Sequence, residues 1–271
     1  MLIRIITGLL LGLLAIGIVF FAPLWLFVFF SGFMLTLASV EWFDLFMSKA
    51  PWYQRLLFVL GFWLITWSGH YISSVVIILA CLIWLLAIAS VLKSHHPKLH
   101  ELKRPAIALP LGLILLSAAW LGAISLFQFD RLVMFYAVWV IGMADSGAYF
   151  IGTRWGRTRL APVISPKKSV EGLIGQFGVG TLMGMALSVF MSVHNTGFYG
   201  FWFLLTLVMI SIGIFGDLFE SLLKRLTNIK DSGHLLPGHG GMLDRLDSLM
   251  AVLPFYALGI ICFGHSLFNL S

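Results

Sequence analysis

The sequence alternates between long apolar runs and short polar connections. Crossing the hydrocarbon core of a bilayer takes about 20 mostly apolar residues in a helix. Runs near that length lie at 2–22, 24–40, 56–69, 71–92, 105–128, 131–151, 172–193, 198–219 and 246–269. They predict an all-α polytopic integral membrane protein with about nine transmembrane helices. The first run is expected to remain as a span, because no small-residue cleavage site of a signal peptide follows it.

The composition excludes a soluble domain. Charged side chains make up 10% of the chain and apolar ones 60%, whereas a soluble domain has about 25% charged residues. So few charges could not cover a surface that faces water on all sides. Most of the surface is therefore expected to face lipid.

The basic residues predict the orientation in the membrane. All of the 17 Lys and Arg residues except Arg131 lie at Arg4 or in the loops after the second, fourth, sixth and eighth runs. Cytoplasmic loops of membrane proteins concentrate Lys and Arg, so the N-terminus is predicted to be cytoplasmic and the C-terminus outside. The same rule accounts for the net charge of +6, and no nucleic-acid partner is predicted.

Polar residues divide the chain into two regions. Residues 1–104, with about four spans by the length criterion, hold few polar side chains and are predicted to be a scaffold. In this region Glu41 and Asp44 are expected to cap the membrane interface rather than take part in chemistry. Residues 105–271, with about five spans by the same criterion, are predicted to be the catalytic region, with cytoplasmic loops at 152–171 and 220–245.

Asp145 is the first candidate for chemistry. A carboxylate within a membrane helix costs about 2.5–3.5 kcal/mol on insertion scales, so it normally faces a partner in the interior. The alternative is a polar helix-packing residue among small neighbours. We favour a functional role, because Asp145 lies in the cytoplasmic half, where other polar motifs gather.

The segment Ser165–Gly172 is the second candidate. Ser165 followed by Pro166 is typical of a helix start, with Ser as N-cap and Pro at the first helical position. A helix N-terminus attracts anions, and Lys167 and Lys168 would add positive charge for a phosphate group. A capped helix with ordinary cytoplasmic lysines explains the segment equally well.

The end of the eighth run carries a polar face. At 100° per residue, Asp217, Glu220, Ser221, Lys224 and Asn228 fall within a sector about 100° wide, opposite a leucine-rich side. An amphipathic helix at the membrane surface would explain the basic residue. It does not explain an aspartate at the membrane end of the sector.

A glycine-rich loop follows and opens the ninth run. Asp244 and Asp247 share a face of the helix after it, and such carboxylates suit Mg²⁺, which also takes phosphate oxygens and waters. Gly240 and Gly241 would let phosphate oxygens approach backbone N–H groups. His239 is a candidate general acid or phosphate donor, and a role in ordering the loop is equally open. Favourable placement of acids at a helix N-terminus is the alternative for the aspartates.

These motifs together resemble a known family. Ser221–Arg225, Lys230–Gly233, Pro237–Gly241 and Asp244–Asp247 are similar to the signature of phosphatidate cytidylyltransferases, also called CDP-diacylglycerol synthases. Residues 144–149 and 160–172 also resemble that family. The resemblance covers residues 140–250 well, and the N-terminal half agrees in size and hydropathy. It implies a dimeric enzyme of the bacterial inner membrane that transfers the cytidylyl group of CTP to phosphatidic acid and releases pyrophosphate.

The resemblance also implies roles for individual residues. Magnesium is expected around Asp217 and Asp244, and we add Asp247, with Asp145 assigned to a second, monovalent or divalent, cation or to ordering Lys168. The predicted catalytic residues are Lys224, Arg225, Lys230, Asp231, His239 and Arg245. The predicted substrate-binding residues are Ser165, Lys167, Lys168, Ser221, Gly240 and Gly241. All are expected on the cytoplasmic side.

Three other functions would use parts of the same pattern. A CTP-dependent lipid-alcohol kinase would use a similar scaffold and metal, but it would release CDP. A CDP-alcohol phosphotransferase would need aspartates four residues apart, and the sequence has no Asp-x-x-x-Asp. A transporter of an anionic substrate would place ionisable groups near the middle of the bilayer on repeated, broken helices, whereas here they gather at one end of the later runs.

Overall fold

The fold is a helical bundle with one small hairpin. A computed structural model describes residues 2–93, 97–191, 196–233 and 240–267. In these residues the helices are α1 (Leu2–Phe21), α2 (Leu24–Met47), α3 (Trp52–Leu92), α4 (Pro105–Phe129), α5 (Arg131–Trp155), α6 (Val170–Ser188), α7 (Thr196–Leu226) and α8 (Leu243–Leu267). A 3₁₀ helix covers Pro97–Lys103, and strands β1 (Arg159–Ala161) and β2 (Ser165–Ser169) form the hairpin.

The helix starts follow local sequence signals. The residue before a proline favours extended backbone, and proline suits the first turn of a helix. Pro105 accordingly opens α4. Asp130 is the N-cap of α5, and its carboxylate accepts hydrogen bonds from the backbone N–H groups of Leu132 and Val133 over 2.6 and 3.2 Å.

The helices confirm that the chain is an all-α polytopic membrane protein. Within the described ranges, seven segments are long and apolar enough to cross a membrane: Leu24–Met47, Ile72–Leu92, Pro105–Phe129, Arg131–Trp155, Val170–Ser188, Phe198–Leu226 and Leu243–Phe263. The third and fourth predicted runs both lie in α3, which is interrupted at Ile72 by non-helical backbone (φ −127°, ψ 20°). The count of nine spans and the orientation of the termini stay predictions.

The hairpin corrects one sequence-based expectation. Ser165 and Pro166 do not start a helix; they lie in β2, where Ser165 pairs with Ala161. A two-stranded hairpin has only edge strands, and an edge strand tolerates a proline that cannot donate a hydrogen bond. The helix begins four residues later, where the hydroxyl of the N-cap Ser169 accepts from Gly172 N–H over 3.1 Å.

Glycines bring the functional helices into close contact. A Cβ atom added at Gly147 of α5 would lie 2.6 Å from the carbonyl oxygen of Gly175 of α6. A Cβ atom added at Gly216 of α7 would lie 2.8 Å from the carbonyl oxygen of Asp247 of α8. Small residues at such positions let helix backbones approach closely in a membrane. The second half of α5 therefore packs against α6, the second half of α7 packs against the start of α8, and β2 of the hairpin contacts both α6 and α7.

Candidate functional site

An acid–base pair joins α7 to the hairpin. The ammonium group of Lys168 lies 2.5 Å from the Asp217 carboxylate, and their side chains are 23% and 32% exposed. The hydroxyl of Ser221, one turn further along α7, donates to the same carboxylate over 3.3 Å. The two charges are therefore paired and still reachable from water.

Asp145 and Asp247 approach this pair from the neighbouring helices. Gln176 of α6 donates from its amide nitrogen to the Asp145 carboxylate over 3.0 Å. Both aspartates are close enough to Asp217 and Lys168 for electrostatic interaction. We name Asp145, Lys168, Asp217 and Asp247 the inner cluster, because Asp217 lies well before the C-terminal end of α7. Three carboxylates around one ammonium group leave an excess of negative charge, which favours a bound cation.

A cavity of about 530 Å³ opens beside the inner cluster. Its walls come from α5, the hairpin, the start of α6 and α7. Its lining residues are Asp145, Ala148, Tyr149, Gly152, Thr153, Leu160, Lys167, Lys168, Ser169, Gly172, Leu173, Gln176 and Asp217. Lysines and carboxylates thus face the same space, which suits an anion that arrives with a cation.

A second set of charges lies two turns further along α7. The Lys224 ammonium group lies 2.5 Å from the Glu220 carboxylate and 2.6 Å from that of Asp244. The Glu220 side chain is fully buried, and those of Lys224 and Asp244 are 13% and 12% exposed. We name these three residues the outer cluster. Buried charges need partners, and Lys224 compensates both acids.

Asp244 also links the described residues on either side of the glycine-rich segment. Its carboxylate accepts from Gly241 N–H over 2.8 Å and from Ser232 N–H over 3.1 Å. Gly240 has φ +83°, a backbone conformation that favours glycine. The Gly241 N–H group therefore has a partner within the protein, so the structure gives it a structural use. The assignment of Gly240 and Gly241 to substrate binding stays a prediction.

Glu41 is a residue of this region that the sequence analysis missed. It was expected to cap the membrane interface, and that expectation is wrong. Its side chain is buried, and its carboxylate accepts from the backbone N–H groups of Met242 and Leu243 over 2.9 and 2.7 Å. The signal available was a charged residue at the end of an apolar run. Its partners lie about 200 positions away (separations of 201 and 202), beyond the reach of local pattern.

Other predicted residues are distributed around the two clusters. Arg225 is exposed, and its Nε donates to the carbonyl oxygen of Ile164 in the hairpin over 3.2 Å. Lys230, Asp231 and Arg245 are exposed near the loop. His239 lies outside the described residues. The catalytic roles of these residues stay predictions.

The predicted substrate residues of the hairpin differ in whether they line the cavity. Lys167 and Lys168 line the cavity, whereas Ser165 is two residues earlier in β2 and is absent from the described lining of that cavity. Asp44, the other acid of α2, forms an ion pair of 2.6 Å with Arg55 at the start of α3. The structure therefore brings together the inner cluster, the outer cluster and Lys167.

The carboxylates suit a cation carried with phosphate. Among the described residues, no group of three or more His, Cys, Asp or Glu side chains has the geometry of a complete metal site. Mg²⁺ requires no such group, since it takes one or two protein carboxylates and fills its other positions with waters and phosphate oxygens. Asp217 and Asp247 supply oxygens of that kind.

Comparison with known proteins agrees with the resemblance in the sequence. A curated phosphatidate cytidylyltransferase of Bacillus subtilis is 42% identical over 154 residues, which are 53% of this chain and 56% of the relative. One from Haemophilus influenzae is 43% identical over 134 residues, 48% of this chain and 44% of the relative. The chain thus spans about half the length of the curated relatives it matches.

The family match is longer. It extends over residues 2–263 and therefore includes the N-terminal helices together with both clusters and the glycine-rich loop. A match of this extent covers the region that carries Glu41 as well as the region that carries the signature. The chain belongs to the cytidylyltransferase family.

Proposed function

We propose that the protein transfers the cytidylyl group of CTP to phosphatidic acid, giving CDP-diacylglycerol and pyrophosphate. Family membership and relatives named phosphatidate cytidylyltransferase support this reaction. The proposed location is the cytoplasmic face of a bacterial inner membrane, because the basic loops are predicted there. A homodimer is proposed on the resemblance alone, and the mass of the purified protein in nanodiscs tests it.

The observation that carries the proposal is a polar cavity beside an apolar groove. The groove, about 400 Å³ in volume, shares Leu160 and Leu173 with the polar cavity. Its other walls come from the end of α3, the first half of α6, the middle of α7 and the turn of the hairpin. A substrate with a phosphate head and an apolar body fits such a pair of spaces. Phosphatidic acid has that form.

The reaction needs no nucleophile from the protein. A phosphate monoester is largely ionised at pH 7, because its second pKa is about 6. One of its oxygens attacks the α-phosphorus of CTP, and the bond to the bridging oxygen breaks, so pyrophosphate leaves with the electron pair. Such transfers depend on positioning and on stabilising charge. The protein's task is therefore to hold two anions together.

The charged residues have roles that follow from their positions. Lys167 and Lys168 face the cavity, so we assign them to phosphate oxygens. Arg225 and Arg245, both exposed at the same end of the bundle, are assigned to the charge that develops on the leaving pyrophosphate. Lys224 is held between two acids, so we assign it two roles. It keeps the outer cluster ordered, and it helps to neutralise the charge of the phosphates.

A magnesium ion completes the proposed site. We assign it to Asp217, with Asp247 and Asp244 as the other carboxylates of α8 and Asp145 for a second cation. When bound, the ion would neutralise phosphate charge and orient the leaving group. Lys168 pairs with Asp217 and lines the same cavity, so it would be placed to hold a phosphate oxygen beside a cation on that carboxylate.

A product assay tests this function. Purified protein in phosphatidic acid vesicles is incubated with each of the four nucleoside triphosphates and Mg²⁺, and pyrophosphate and CDP are measured separately. Pyrophosphate release with CTP, dependent on phosphatidic acid, is the expected result. Release of CDP with a lipid alcohol would identify the kinase alternative instead. No product with any lipid, together with uptake of an anion into vesicles, would identify a transporter.

A further inference from the structure

We infer that Glu41, in the region predicted to be a scaffold, is a positioning residue for the active site. This inference rests on the proposed function for its effect on catalysis, and on the structure alone for its effect on the loop. Glu41 does not line the described cavity beside the inner cluster. It acts through the segment that carries Asp244.

Among the described residues, Glu41 accepts three hydrogen bonds, and all of them come from the two ends of the loop between α7 and α8. It accepts from Met242 N–H and Leu243 N–H at the start of α8, and from the Ser232 hydroxyl over 3.0 Å. The side chain is 4% exposed. A buried carboxylate that accepts several hydrogen bonds from fixed donors is held in one place and holds its donors in turn.

Glu41 and Asp244 together hold Ser232 beside the residues that open α8. Asp244 accepts from Ser232 N–H and Gly241 N–H, while Glu41 accepts from the Ser232 hydroxyl and from the N–H groups of Met242, just before α8, and Leu243, its first residue. The first N–H groups of a helix have no partner within the helix. Two acids, one from α2 and one from α8, supply partners for them, and Ser232 contacts both acids.

Two glycines of the signature are explained by Glu41. A Cβ atom added at Gly233 would lie 2.4 Å from one Glu41 carboxylate oxygen, and one added at Gly241 would lie 2.4 Å from the other. Both distances are far below van der Waals contact. A side chain at either position would therefore displace the buried carboxylate from its hydrogen bonds, whether or not the loop also contacts phosphate.

The consequence for the site follows from the order along the chain. Leu243, held by Glu41, is adjacent to Asp244, and Asp247 lies one turn further along the same helix. If the first turn of α8 loosens, both carboxylates lose their fixed positions relative to α7. Mutating a residue that orients metal ligands without binding the metal changes metal affinity or activity by about 10- to 100-fold.

The test compares Glu41→Gln with Asp44→Asn, in full-length protein in nanodiscs. Asp44 lies on the same helix, pairs with Arg55 and has no contact with the loop among its described interactions. Gln keeps the size of Glu but turns an N–H donor towards N–H groups. Three properties are measured for each variant: the melting temperature, the KM for Mg²⁺–CTP, and hydrogen–deuterium exchange of the peptide containing Met242 and Leu243.

Glu41→Gln is expected to raise the KM for Mg²⁺–CTP at least about 10-fold and to speed exchange in that peptide, with both changes absent in Asp44→Asn. A melting temperature that falls while KM and exchange stay at wild-type values would overturn the inference, since Glu41 would then be structural only. Ser232→Ala removes one hydrogen bond to Glu41 and is a milder second variant. It should change the KM and the exchange rate in the same direction as Glu41→Gln does. In the double variant the two effects should be less than additive, because both substitutions remove the same hydrogen bond.

Exchange separates this inference from the proposed function. Hydrogen–deuterium exchange of the peptide containing Met242 and Leu243 is measured without substrate. It therefore reports how firmly the start of α8 is held, even if the wild type fails to release pyrophosphate. An inactive wild type with faster exchange in Glu41→Gln would reject the proposed reaction and keep the role of Glu41. An active wild type with unchanged exchange and unchanged KM in Glu41→Gln would reject the role of Glu41 and keep the reaction.

Discussion

At the scale of single residues, the site is organised by charge compensation. Lys224 is placed between two acids, one of them fully buried, whereas Lys168 is paired with one partly exposed acid. A buried ion pair holds its geometry because either partner alone would be an uncompensated charge. A partly exposed pair is held more weakly. Lys168 is thus free to change partners, and Lys224 is fixed.

Removal of Lys224 should destabilise the fold. Lys224→Met leaves the carboxylates of Glu220 and Asp244 without their shared cation, and breaking a buried pair costs about 3–5 kcal/mol. Lys49→Met, at an exposed lysine, should change stability by less than about 0.5 kcal/mol. Unfolding in detergent, followed by circular dichroism, measures both variants. Equal stability of the two would contradict the compensating role of Lys224.

Removal of the Asp217 charge should greatly reduce turnover while the protein stays folded. Asp217→Asn keeps the shape of the side chain but weakens both cation binding and the contact with Lys168. We expect turnover to fall by about 100-fold or more, as for loss of a single group that stabilises transition-state charge. Pyrophosphate release at saturating CTP and Mg²⁺ measures the effect, with Asp44→Asn as the control. Activity equal to that of the control would remove Asp217 from the proposed magnesium site.

At the scale of secondary structure, hydropathy predicted the helices and missed the connections. The runs 105–128 and 131–151 correspond to α4 and α5 within a few residues, because a membrane leaves a long apolar segment little choice but a helix. The connection at Ser165–Ser169 was predicted as a helix start and is a strand. A Ser-Pro pair restricts the backbone only at those two residues. Whether they join a strand depends on β1, which local sequence signals do not include.

The contact between α5 and α6 should depend on Gly147. Gly147→Ala places a methyl group 2.6 Å from a backbone oxygen that cannot move aside easily, and such overpacking costs about 1–3 kcal/mol. Gly142→Ala is the matched control on the same helix, since a Cβ atom there meets nothing within 4 Å. Thermal unfolding in one detergent should give a lower midpoint for Gly147→Ala only. Similar midpoints would mean that α5 and α6 can shift apart enough to accommodate the methyl group without loss of stability.

The site itself was predictable in part for the same physical reason. The polar sector of α7 follows from helical periodicity, so Asp217, Ser221 and Lys224 could be placed on one face before the structure was known. The arrangement across helices could not be read from periodicity. Glu41 reaches the loop only because α2 packs beside the start of α8, and that packing is set by the whole bundle.

At the scale of the whole molecule, both clusters lie at one end of the bundle. The loops at this end carry most of the basic residues, and those loops are predicted to be cytoplasmic. A soluble triphosphate would reach the cavity from that side, while a lipid would reach it from the bilayer. The predicted orientation is therefore part of the proposed mechanism.

Labelling from either side of the membrane tests the orientation. In a Cys262→Ser background, Thr158→Cys places a thiol in the exposed connection before the hairpin, and Gln128→Cys places one at the opposite, exposed end of α4. A maleimide that does not cross membranes should label position 158 only in inverted vesicles and position 128 only in spheroplasts. The reverse pattern would place the site outside the cell and contradict the proposed access of CTP.

The shared wall of the polar cavity and the apolar groove has a kinetic consequence. Leu160 and Leu173 border both spaces, so a lipid bound there would keep its tails on the bilayer side while its head meets the nucleotide. For such an enzyme the rate follows the mole fraction of phosphatidic acid within the membrane plane, and diluting the vesicles in buffer leaves it unchanged. Mixing in an inert lipid would slow the reaction by surface dilution alone.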